Sequence, residues 1–313
     1  MKNDPLADPR AADFLRRHGW GSAVEAEVLG GGGRHKVVRL HEAGRSAVLK
    51  VHEAPGIRDA FARELQMHSF IARHLPADVP RILGADHEAR AILFEWVEGG
   101  KIPSRPTRRD IVRMADFIIR LNCPAVLAAA SDIPEASDAG FGFGSHRECA
   151  RLRVEELLAL KPDSGVRGQM MNFVRQELAP ALAKLVDFDP LASAGRRLSP
   201  SDFGFHNVLV RPSGSFCFTD FEHAGWDDAA KLAADFLIQP ELVLAGEDAD
   251  AFLSELRSSG AFEGGFPQRV RALLPLQKVK WTTIILNVFH RPDADDALLR
   301  RRLQKAGEYW AAN

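Results

Sequence analysis

Cysteine is scarce in this sequence, which has three cysteines in 313 residues, at Cys123, Cys149 and Cys217. Three scattered thiols are too few for a disulfide framework and too widely spaced for a zinc site with paired ligands. The sequence also lacks an excess of charge of either sign, because 41 basic residues accompany 42 acidic ones. This charge balance indicates neither a nucleic-acid partner nor binding to an anionic membrane surface.

Long apolar runs are absent as well. No uninterrupted stretch reaches the roughly 20 residues that a membrane-spanning helix needs. The segment from Met1 to Pro5 contains charged residues and a proline where a signal peptide would have its apolar core. We therefore expect a cytoplasmic protein that does not bind a membrane, and the sequence alone leaves its oligomeric state open.

The pattern of the chain changes near residue 100. Hydrophobic residues make up 46% of the sequence, enough for a large core and, at this length, for two lobes. Residues 1–100 contain short β-type runs separated by turn-forming residues, and one stretch in which apolar residues recur at helical spacing. The β-type runs are Glu25–Leu29, Lys36–Arg39, Ala47–His52, Pro80–Leu83 and Ala91–Trp96, and the helical stretch is Arg58–His74. These features predict a small antiparallel sheet with one main helix.

Residues 101–313 are mainly helical in pattern. The predicted helices are Arg108–Leu121, His146–Leu160, Arg167–Leu185, Asp248–Ser258, Gln268–Phe289 and Ala294–Ala311. The exception is Asn207–Glu222, where two short β runs flank the turn-forming segment Pro212–Ser215. The sequence therefore predicts an α+β protein with a sheet-rich N-terminal lobe over residues 1–100 and a larger, mainly helical C-terminal lobe over residues 101–313.

Polar side chains lie at both ends of this hairpin. A four-residue loop would pair Arg211 with Phe216. The same register would place Asn207 opposite Asp220, so that an amide oxygen and a carboxylate could bind one Mg²⁺ ion, with ATP phosphates and water as its other ligands. Asp202, on the loop before Asn207, could accept a proton from an attacking hydroxyl. Taken singly, these residues are better explained as turn formers and caps, and only their combination favours a functional site.

The combination of these residues has a known counterpart. Asp202-x4-Asn207, followed by Asp220-Phe221-Glu222, resembles the catalytic and metal-binding loops of the aminoglycoside phosphotransferase and choline kinase-like family, which shares the protein-kinase fold. The resemblance extends from the glycine run near residue 30 to at least Asp235. It implies a protein-kinase-like two-lobe fold, ATP and Mg²⁺ as cofactors, Asp202 as the catalytic residue, and Asn207 and Asp220 as metal ligands.

The resemblance also implies a set of nucleotide-binding residues in the N-terminal lobe. They are Lys50, Glu64, Gly31, Gly32, Gly33, Glu95 and Val97. Lys50 would contact the α- and β-phosphates, and Glu64 would fix it by ion pairing, although Glu42 and Glu53 are alternative partners. The glycines would cover the phosphates, and the backbone of the Glu95–Val97 segment would hold the adenine. The alternatives are a strand-end lysine that reaches solvent and a flexible hairpin tip.

The sequence departs from the family pattern at Pro200, where a histidine that orients the catalytic loop is usual. Proline fixes its own backbone angle and has no N–H to donate. Because Lys50, Asp202, Asn207 and Asp220 are all present, we predict an active enzyme that phosphorylates a hydroxyl of a small molecule such as a sugar, amino sugar or amino alcohol. The alternative is a nucleotide-binding pseudokinase that acts as an interaction module.

Three further acidic residues near the metal loop fall outside the predicted catalytic set. Glu222 replaces the glycine that follows Asp-Phe in protein kinases, which disfavours a protein kinase. The resemblance implies structural roles for Asp228, as a cap after the metal loop, and for Asp235.

Overall fold

The computed structural model describes residues 8–21, 23–30, 35–53, 59–102, 105–162, 165–185, 195–262 and 265–312. The chain divides into two compact units. The first comprises Met1–Thr107, Arg120–Pro134 and Phe205–Gly225; the second comprises Arg108–Ile119, Glu135–Gly204 and Trp226–Asn313. Each unit consists of several segments of the chain, so it does not correspond to one continuous range. The division into lobes at residues 1–100 and 101–313 therefore remains a prediction.

The first unit is built on a five-stranded antiparallel sheet, as predicted. Its strands are β1 (Glu25–Gly30), β2 (His35–Glu42), β3 (Arg45–His52), β4 (Ile82–Asp86) and β5 (Ala91–Glu95). Their order in the sheet is β1-β2-β3-β5-β4. The two-residue turn between β2 and β3 has positive φ at both Ala43 and Gly44, as the twist of a tight hairpin requires.

The two faces of this sheet are covered by different helices. Successive side chains of a strand point to opposite faces. On β3, Leu49 belongs to a core with Phe14 and Trp20, the first of which lies on α1 (Pro9–Arg17). Val48, on the opposite face, packs with Phe61 of α2 (Ala60–His74). Lys50 therefore shares a face with α2.

Helix α1 was not predicted, although its sequence contains a start signal. Asp8 accepts a hydrogen bond from the N–H of Arg10, and Pro9 occupies the first helical position. An Asp-Pro pair of this kind is typical of a helix N-terminus. Helix α2 begins in a similar way, with Asp59 accepting from the N–H of Ala62.

The predicted hairpin also lies in the first unit, but its register differs from the prediction. Strands β7 (Val208–Val210) and β8 (Phe216–Phe218) pair Val210 with Phe216. The loop has three residues because the N–H of Arg211 donates to the carbonyl of Ser215, and Gly214 has φ +80°. The pairing of Arg211 with Phe216 was therefore wrong by one residue.

The second unit is mainly helical, as predicted. Its central helix is α10 (Phe266–Ile285), which packs against α5 (Phe143–Leu158), α8 (Ala229–Leu237) and α11 (Asp296–Ala311). The other α-helices of the described residues are α3 (Arg108–Leu121), which ends in the first unit, α4 (Pro124–Ala128), which lies there entirely, α6 (Gly165–Phe173), α7 (Ala179–Ala183) and α9 (Glu247–Ser258). Two short strands, β6 (Arg196–Ser199) and β9 (Gly225–Asp228), pair with each other. Among the described residues, no helix has the length and apolar character needed to cross a membrane.

Candidate functional site

A buried lysine on β3 is the centre of the site. Lys50 Nζ lies 2.7 Å from Glu64 Oε2 and 2.9 Å from Asp220 Oδ1. Burial alone would lower the pKa of this ammonium group, but the carboxylates of Glu64, Asp220 and Glu222 outweigh burial and hold the pKa above its ordinary value. Lys50 therefore stays charged, and the structure brings it together with the glutamate that the sequence predicts as its partner.

Glu64 reaches Lys50 because of the helical spacing of α2. Phe61, Glu64 and His68 recur at three and four residues and so share the face that is turned to the sheet. Burial alone would raise the pKa of the Glu64 carboxyl, but Lys50 and His52 lower it to about 2. The carboxylate is therefore ionised at neutral pH. The competing partners Glu42 and Glu53 are not needed to explain how Lys50 is paired.

Sequence reasoning missed two histidines at this site. His52 Nε2 lies 3.1 Å from Glu64 Oε2, and His35 Nδ1 lies 3.0 Å from Glu222 Oε2. The signal for His52 was present, because a residue two positions after Lys50 on a strand must share its face. His35 could be found only from the register, which pairs it directly with His52 across β2 and β3.

His52, Glu64 and Glu222 offer atoms that lie within 4.8 Å of one another, close enough to suggest a metal site. The Lys50 ammonium occupies this space, at 2.7 Å from Glu64 Oε2 and 3.5 Å from Glu222 Oε2. A second cation among the same oxygens would face a full positive charge at close range. The cluster is therefore an ion-pair network around Lys50 and does not form a cation site.

Asp220 follows β8 and has a backbone conformation that is unusual for a residue other than glycine. Its φ is +69°, a left-handed conformation that aspartate and asparagine tolerate better than most residues. Its side chain keeps 26% exposure, in contrast to the enclosed Glu64. Burial raises the pKa of the Asp220 carboxyl, Lys50 opposes this, and the negative charges of Glu64 and Glu222 add to it. Additional positive charge at this carboxylate would relieve the repulsion.

Asn207 is tied to the residue before Asp220. It ends a short 3₁₀ segment, Phe205–Asn207, and its carbonyl accepts from both the N–H and the hydroxyl of Thr219, at 3.0 Å and 3.2 Å. Asn207 therefore lies opposite Thr219, and the predicted position opposite Asp220 was wrong. The shorter loop caused this error by moving the register by one residue. An amide oxygen and a carboxylate on these adjoining segments are the hard ligands that Mg²⁺ prefers, so the donor set fits this ion.

Asp202 lies in the second unit, after β6. Gln239 Nε2 donates to Asp202 Oδ1 at 3.4 Å, and the N–H of Asp202 donates to the carbonyl of Pro200 at 3.0 Å. The Gln239 side chain is oriented because its own Oε1 accepts from the N–H of Glu241 at 2.6 Å. Sequence reasoning expected no donor to replace the missing histidine at position 200. No local signal in the sequence could have indicated Gln239, which is 37 residues from Asp202.

The remaining nucleotide-binding predictions concern two backbone segments. Gly31, Gly32 and Gly33 lie outside the described residues. At the end of β5, the N–H of Glu95 donates to the carbonyl of Arg81, and its carboxylate pairs with the Arg81 guanidinium at 2.6 Å. Because this N–H is already used in the sheet, the predicted contact with adenine applies to the Glu95 carbonyl and to the backbone of Val97.

Asp228 and Asp235 lie in a buried polar network of the second unit. Asp228 caps α8 by accepting from the N–H of Ala230 at 2.7 Å, and it pairs with Arg269 at 2.7 Å. Asp235 accepts from Lys280 Nζ at 2.6 Å and from Trp281 Nε1 at 2.8 Å. Both carboxylates are enclosed and fully occupied by protein partners. These contacts are those of residues that hold helices together.

An antiparallel sheet with a buried Lys50–Glu64 pair, accompanied by a mainly helical remainder, defines a kinase-like phosphotransferase fold. Comparison with protein families identifies the family to which this fold belongs. The model described as the phosphotransferase enzyme family, APH, matches residues 25–257, and the chain belongs to this family. The family resemblance inferred from the sequence is thereby confirmed. No curated relative gives a significant match.

Solved structures share the fold at low sequence identity. APH(2")-IIa in complex with gentamicin has a TM-score of 0.64 at 16% identity, over 100% of this chain and 98% of that chain. The choline kinase LicA from Streptococcus pneumoniae has a TM-score of 0.61 at 14% identity, over 99% of this chain and 100% of that chain. An ethanolamine kinase from Plasmodium vivax has a TM-score of 0.63 at 11% identity, over 96% and 86% of the two chains. At these identities the similarity is one of fold.

Proposed function

We propose that this protein transfers the γ-phosphoryl group of ATP, in the presence of Mg²⁺, to a hydroxyl group of a small molecule. The observation that carries the proposal is the position of Lys50, held between Glu64 and Asp220 at 2.7 Å and 2.9 Å. A buried ammonium group beside a partly exposed carboxylate suits a site for a polyphosphate and its metal ion. Membership of the phosphotransferase family and fold neighbours solved with ATP and with ADP support the same function.

The residues have distinct parts in this proposal. Asn207 and Asp220 would hold Mg²⁺, which when bound neutralises negative charge on the phosphates. Lys50 would bind phosphate oxygens through its ammonium group, and Glu64 would keep that group in place. The Glu95 carbonyl and the backbone of Val97 would orient the adenine, and Gly31, Gly32 and Gly33 would cover the phosphates.

Asp202 would orient the acceptor hydroxyl and take its proton. The acceptor oxygen forms a bond to the γ-phosphorus while the bond from that phosphorus to the β–γ bridging oxygen breaks, which leaves ADP. The proton of the hydroxyl passes to the Asp202 carboxylate. Catalysis of this kind depends chiefly on position and charge neutralisation, so removal of either aspartate should be costly.

The acceptor is proposed by class: a sugar, an amino sugar or an amino alcohol. Fold neighbours were solved with gentamicin and with streptomycin, and others are choline and ethanolamine kinases. These names justify a panel of hydroxyl compounds that includes amino sugars, choline, ethanolamine, amino acids and free sugars. Phosphorylation of one panel member, detected as ADP release and as a new phosphate ester by ³¹P NMR, would support the proposal.

Asp202→Asn and Asp220→Asn should each lower turnover at least about a hundredfold. Asp250→Asn, at an exposed position in the first turn of α9, is a matched control and should leave turnover unchanged. Full turnover by Asp220→Asn would contradict the proposed phosphotransferase mechanism. Nucleotide binding without transfer to any panel member would favour the pseudokinase alternative, which is motivated by Pro200.

A further inference from the structure

Glu222 is an enclosed carboxylate with cationic or proton-donating groups on several sides. Its Oε2 lies 3.0 Å from His35 Nδ1, 3.5 Å from Lys50 Nζ and 3.7 Å from His52 Nδ1. Its Oε1 faces His223 Nε2 at 3.4 Å. The side chain is 8% exposed, in contrast to the partly exposed Asp220 two residues earlier. Glu222 is thus a central member of the Lys50 network and was absent from the predicted site.

The sheet accounts for these contacts. Lys50 and His52 are two residues apart on β3 and therefore point to the same face. His35 is the direct partner of His52 on β2. Three polar side chains from two strands are thereby directed to the same place. Glu222 supplies a carboxylate there from the chain segment that follows β8. It connects the Asp220-Phe221-Glu222 segment to β2 and β3 through side chains.

The ion pairs of Glu222 agree with this enclosed position, because its Oε2 contacts both His35 and Lys50. An enclosed carboxylate is costly unless it is paired and hydrogen-bonded. Glu222 is both charged and paired, and Lys50 is one of its partners.

We propose that Glu222 is a positioning residue for Lys50, a role that rests on the proposed phosphotransferase function. Among the described residues, Lys50 has three carboxylate neighbours, of which Asp220 is proposed to bind Mg²⁺. Glu64 and Glu222 then remain to hold the ammonium group. They approach it from different elements, Glu64 from α2 and Glu222 from the segment after β8, so together they fix the ammonium better than either does alone.

His52 completes the arrangement. Its two ring nitrogens lie 3.1 Å from Glu64 Oε2 and 3.7 Å from Glu222 Oε2. The imidazole therefore lies between the two carboxylates that hold Lys50. His35, at the start of β2, contacts Glu222 as well. In the sequence, the glycines predicted to cover the phosphates come shortly before β2.

Glu222→Gln tests this proposal, because it removes the charge and keeps the shape. We expect ATP and ADP to bind about tenfold more weakly, which is typical of coupling within a charged network. The Michaelis constant for ATP should rise more than the turnover number falls, because the phosphate-binding lysine is displaced while Asp202 is untouched. Glu53→Gln, at an exposed position just beyond β3, is the matched control and should bind both nucleotides like the wild type.

A double-mutant cycle separates positioning from a structural role. If Glu222 acts through Lys50, Glu222→Gln should have little effect on residual nucleotide affinity in a Lys50→Met background. An unchanged tenfold loss in that background, or wild-type affinity of Glu222→Gln, would overturn the proposal. If Glu222→Gln does not fold, Glu222→Asp serves in its place, since it keeps the charge and withdraws it by one methylene group, and the same cycle applies.

The outcome for the wild type keeps the two proposals apart. A wild-type protein that binds neither ATP nor ADP contradicts the proposed function itself. A wild-type protein that binds both while Glu222→Gln binds them equally well contradicts only the role of Glu222.

Discussion

Lys50 Nζ lies 2.7 Å from Glu64 Oε2, in an ion pair whose side chains keep only 6% and 2% exposure. The pair joins β3 to α2 within the first unit. Two further carboxylates, of Asp220 and Glu222, lie within 3.5 Å of the same ammonium group. One cation therefore compensates three anions, which makes the network sensitive to loss of the lysine.

Lys50→Met should destabilise the protein more than Glu64→Gln does. The first variant leaves two enclosed carboxylates, of Glu64 and Glu222, and the partly exposed carboxylate of Asp220 without their cation. The second leaves Lys50 with two carboxylates. Removing one partner of a buried pair costs on the order of 3–5 kcal/mol, and we expect Lys50→Met to lie in that range. The free energies of unfolding, from denaturant titration, measure the difference.

The surface pair of the partly exposed Lys305 and the exposed Glu241, at 2.6 Å, provides the control for this comparison. Lys305→Met should change the free energy of unfolding by less than about 1 kcal/mol, as surface ion pairs contribute little. A Glu64→Gln protein less stable than Lys50→Met would contradict the conclusion that Lys50 compensates three carboxylates.

Gly99→Ala should destabilise the first unit. A Cβ at Gly99 would lie 2.6 Å from the carbonyl oxygen of Val210, a backbone atom that cannot move without breaking contacts. The neighbouring Gly100 holds β7 through two hydrogen bonds with Val210, of 3.1 Å and 2.8 Å. We expect a loss of about 1–3 kcal/mol in the free energy of unfolding, typical of overpacking.

Gly100→Ala is the matched control, because no atom lies within 4 Å of a Cβ built at Gly100. Its free energy of unfolding should change much less than that of Gly99→Ala. Equal effects of the two substitutions would mean that backbone freedom, and not the approach of Val210, explains the glycine at position 99.

Periodicity and turn residues were sufficient to predict the sheet and most of the helices. The five strands followed from short β-type runs between turn-forming residues, whereas their order in the sheet was not predicted. The Lys50–Glu64 contact follows from α2 covering the face on which Lys50 lies. The hairpin register was not predictable to one residue, because Pro212-Ser213-Gly214-Ser215 suits either a three- or a four-residue loop. Gly214 in the left-handed conformation decided between them.

Long-range polar partners could not be predicted from spacing. In the sequence, Glu222 was identified only as a departure from the protein-kinase pattern. Its contact with His35 joins residues 187 positions apart in the chain. The positive φ of Asp220 was equally hidden, because the sequence around it lacks the glycine that usually signals such a conformation. Tertiary packing imposes both features.

Gln239→Leu should lower turnover through Asp202. The substitution keeps side-chain size and removes the amide that donates to Asp202 Oδ1 at 3.4 Å. If this amide takes the place of the histidine that is usual at position 200, its loss should lower the turnover number about tenfold. The Michaelis constant for ATP should stay near its wild-type value. Steady-state kinetics with the identified acceptor provide the measurement.

Asp202→Asn supplies the background that tests how Gln239 acts. Gln239→Leu should cause little further loss of turnover once Asp202 is gone, since the two residues then act as one unit. Additive losses in the double variant would indicate that Gln239 supports the fold of its segment, where Tyr309 donates to the carbonyl of Ile238 at 2.7 Å, independently of Asp202.

Asp228→Asn should change how the stability of the protein depends on pH. Asp228 Oδ2 lies 2.7 Å from Arg269 Nη2 and 3.3 Å from His146 Nε2. Burial alone would raise the pKa of Asp228, but His146 and Arg269 lower it below its ordinary value of 3.8. A carboxyl group whose pKa is lower in the folded state stabilises that state above pH 3.8, and this contribution disappears as the pH falls toward the folded-state pKa.

The variant lacks this contribution at every pH. Asparagine can still cap α8 through its Oδ1, but its amide would face Arg269 with a donor instead of an acceptor. We expect the variant to be less stable at pH 7 by about 1.4 kcal/mol for each pKa unit by which Asp228 is lowered, in addition to the cost of opposed donors. Denaturant titrations from pH 7 to pH 3 should show the two stability curves converging in acid, because protonation removes the same charge from the wild type. The exposed Asp250→Asn should follow the wild-type curve throughout, and parallel curves for Asp228→Asn and the wild type would contradict the assignment of this stabilisation to the Asp228 charge.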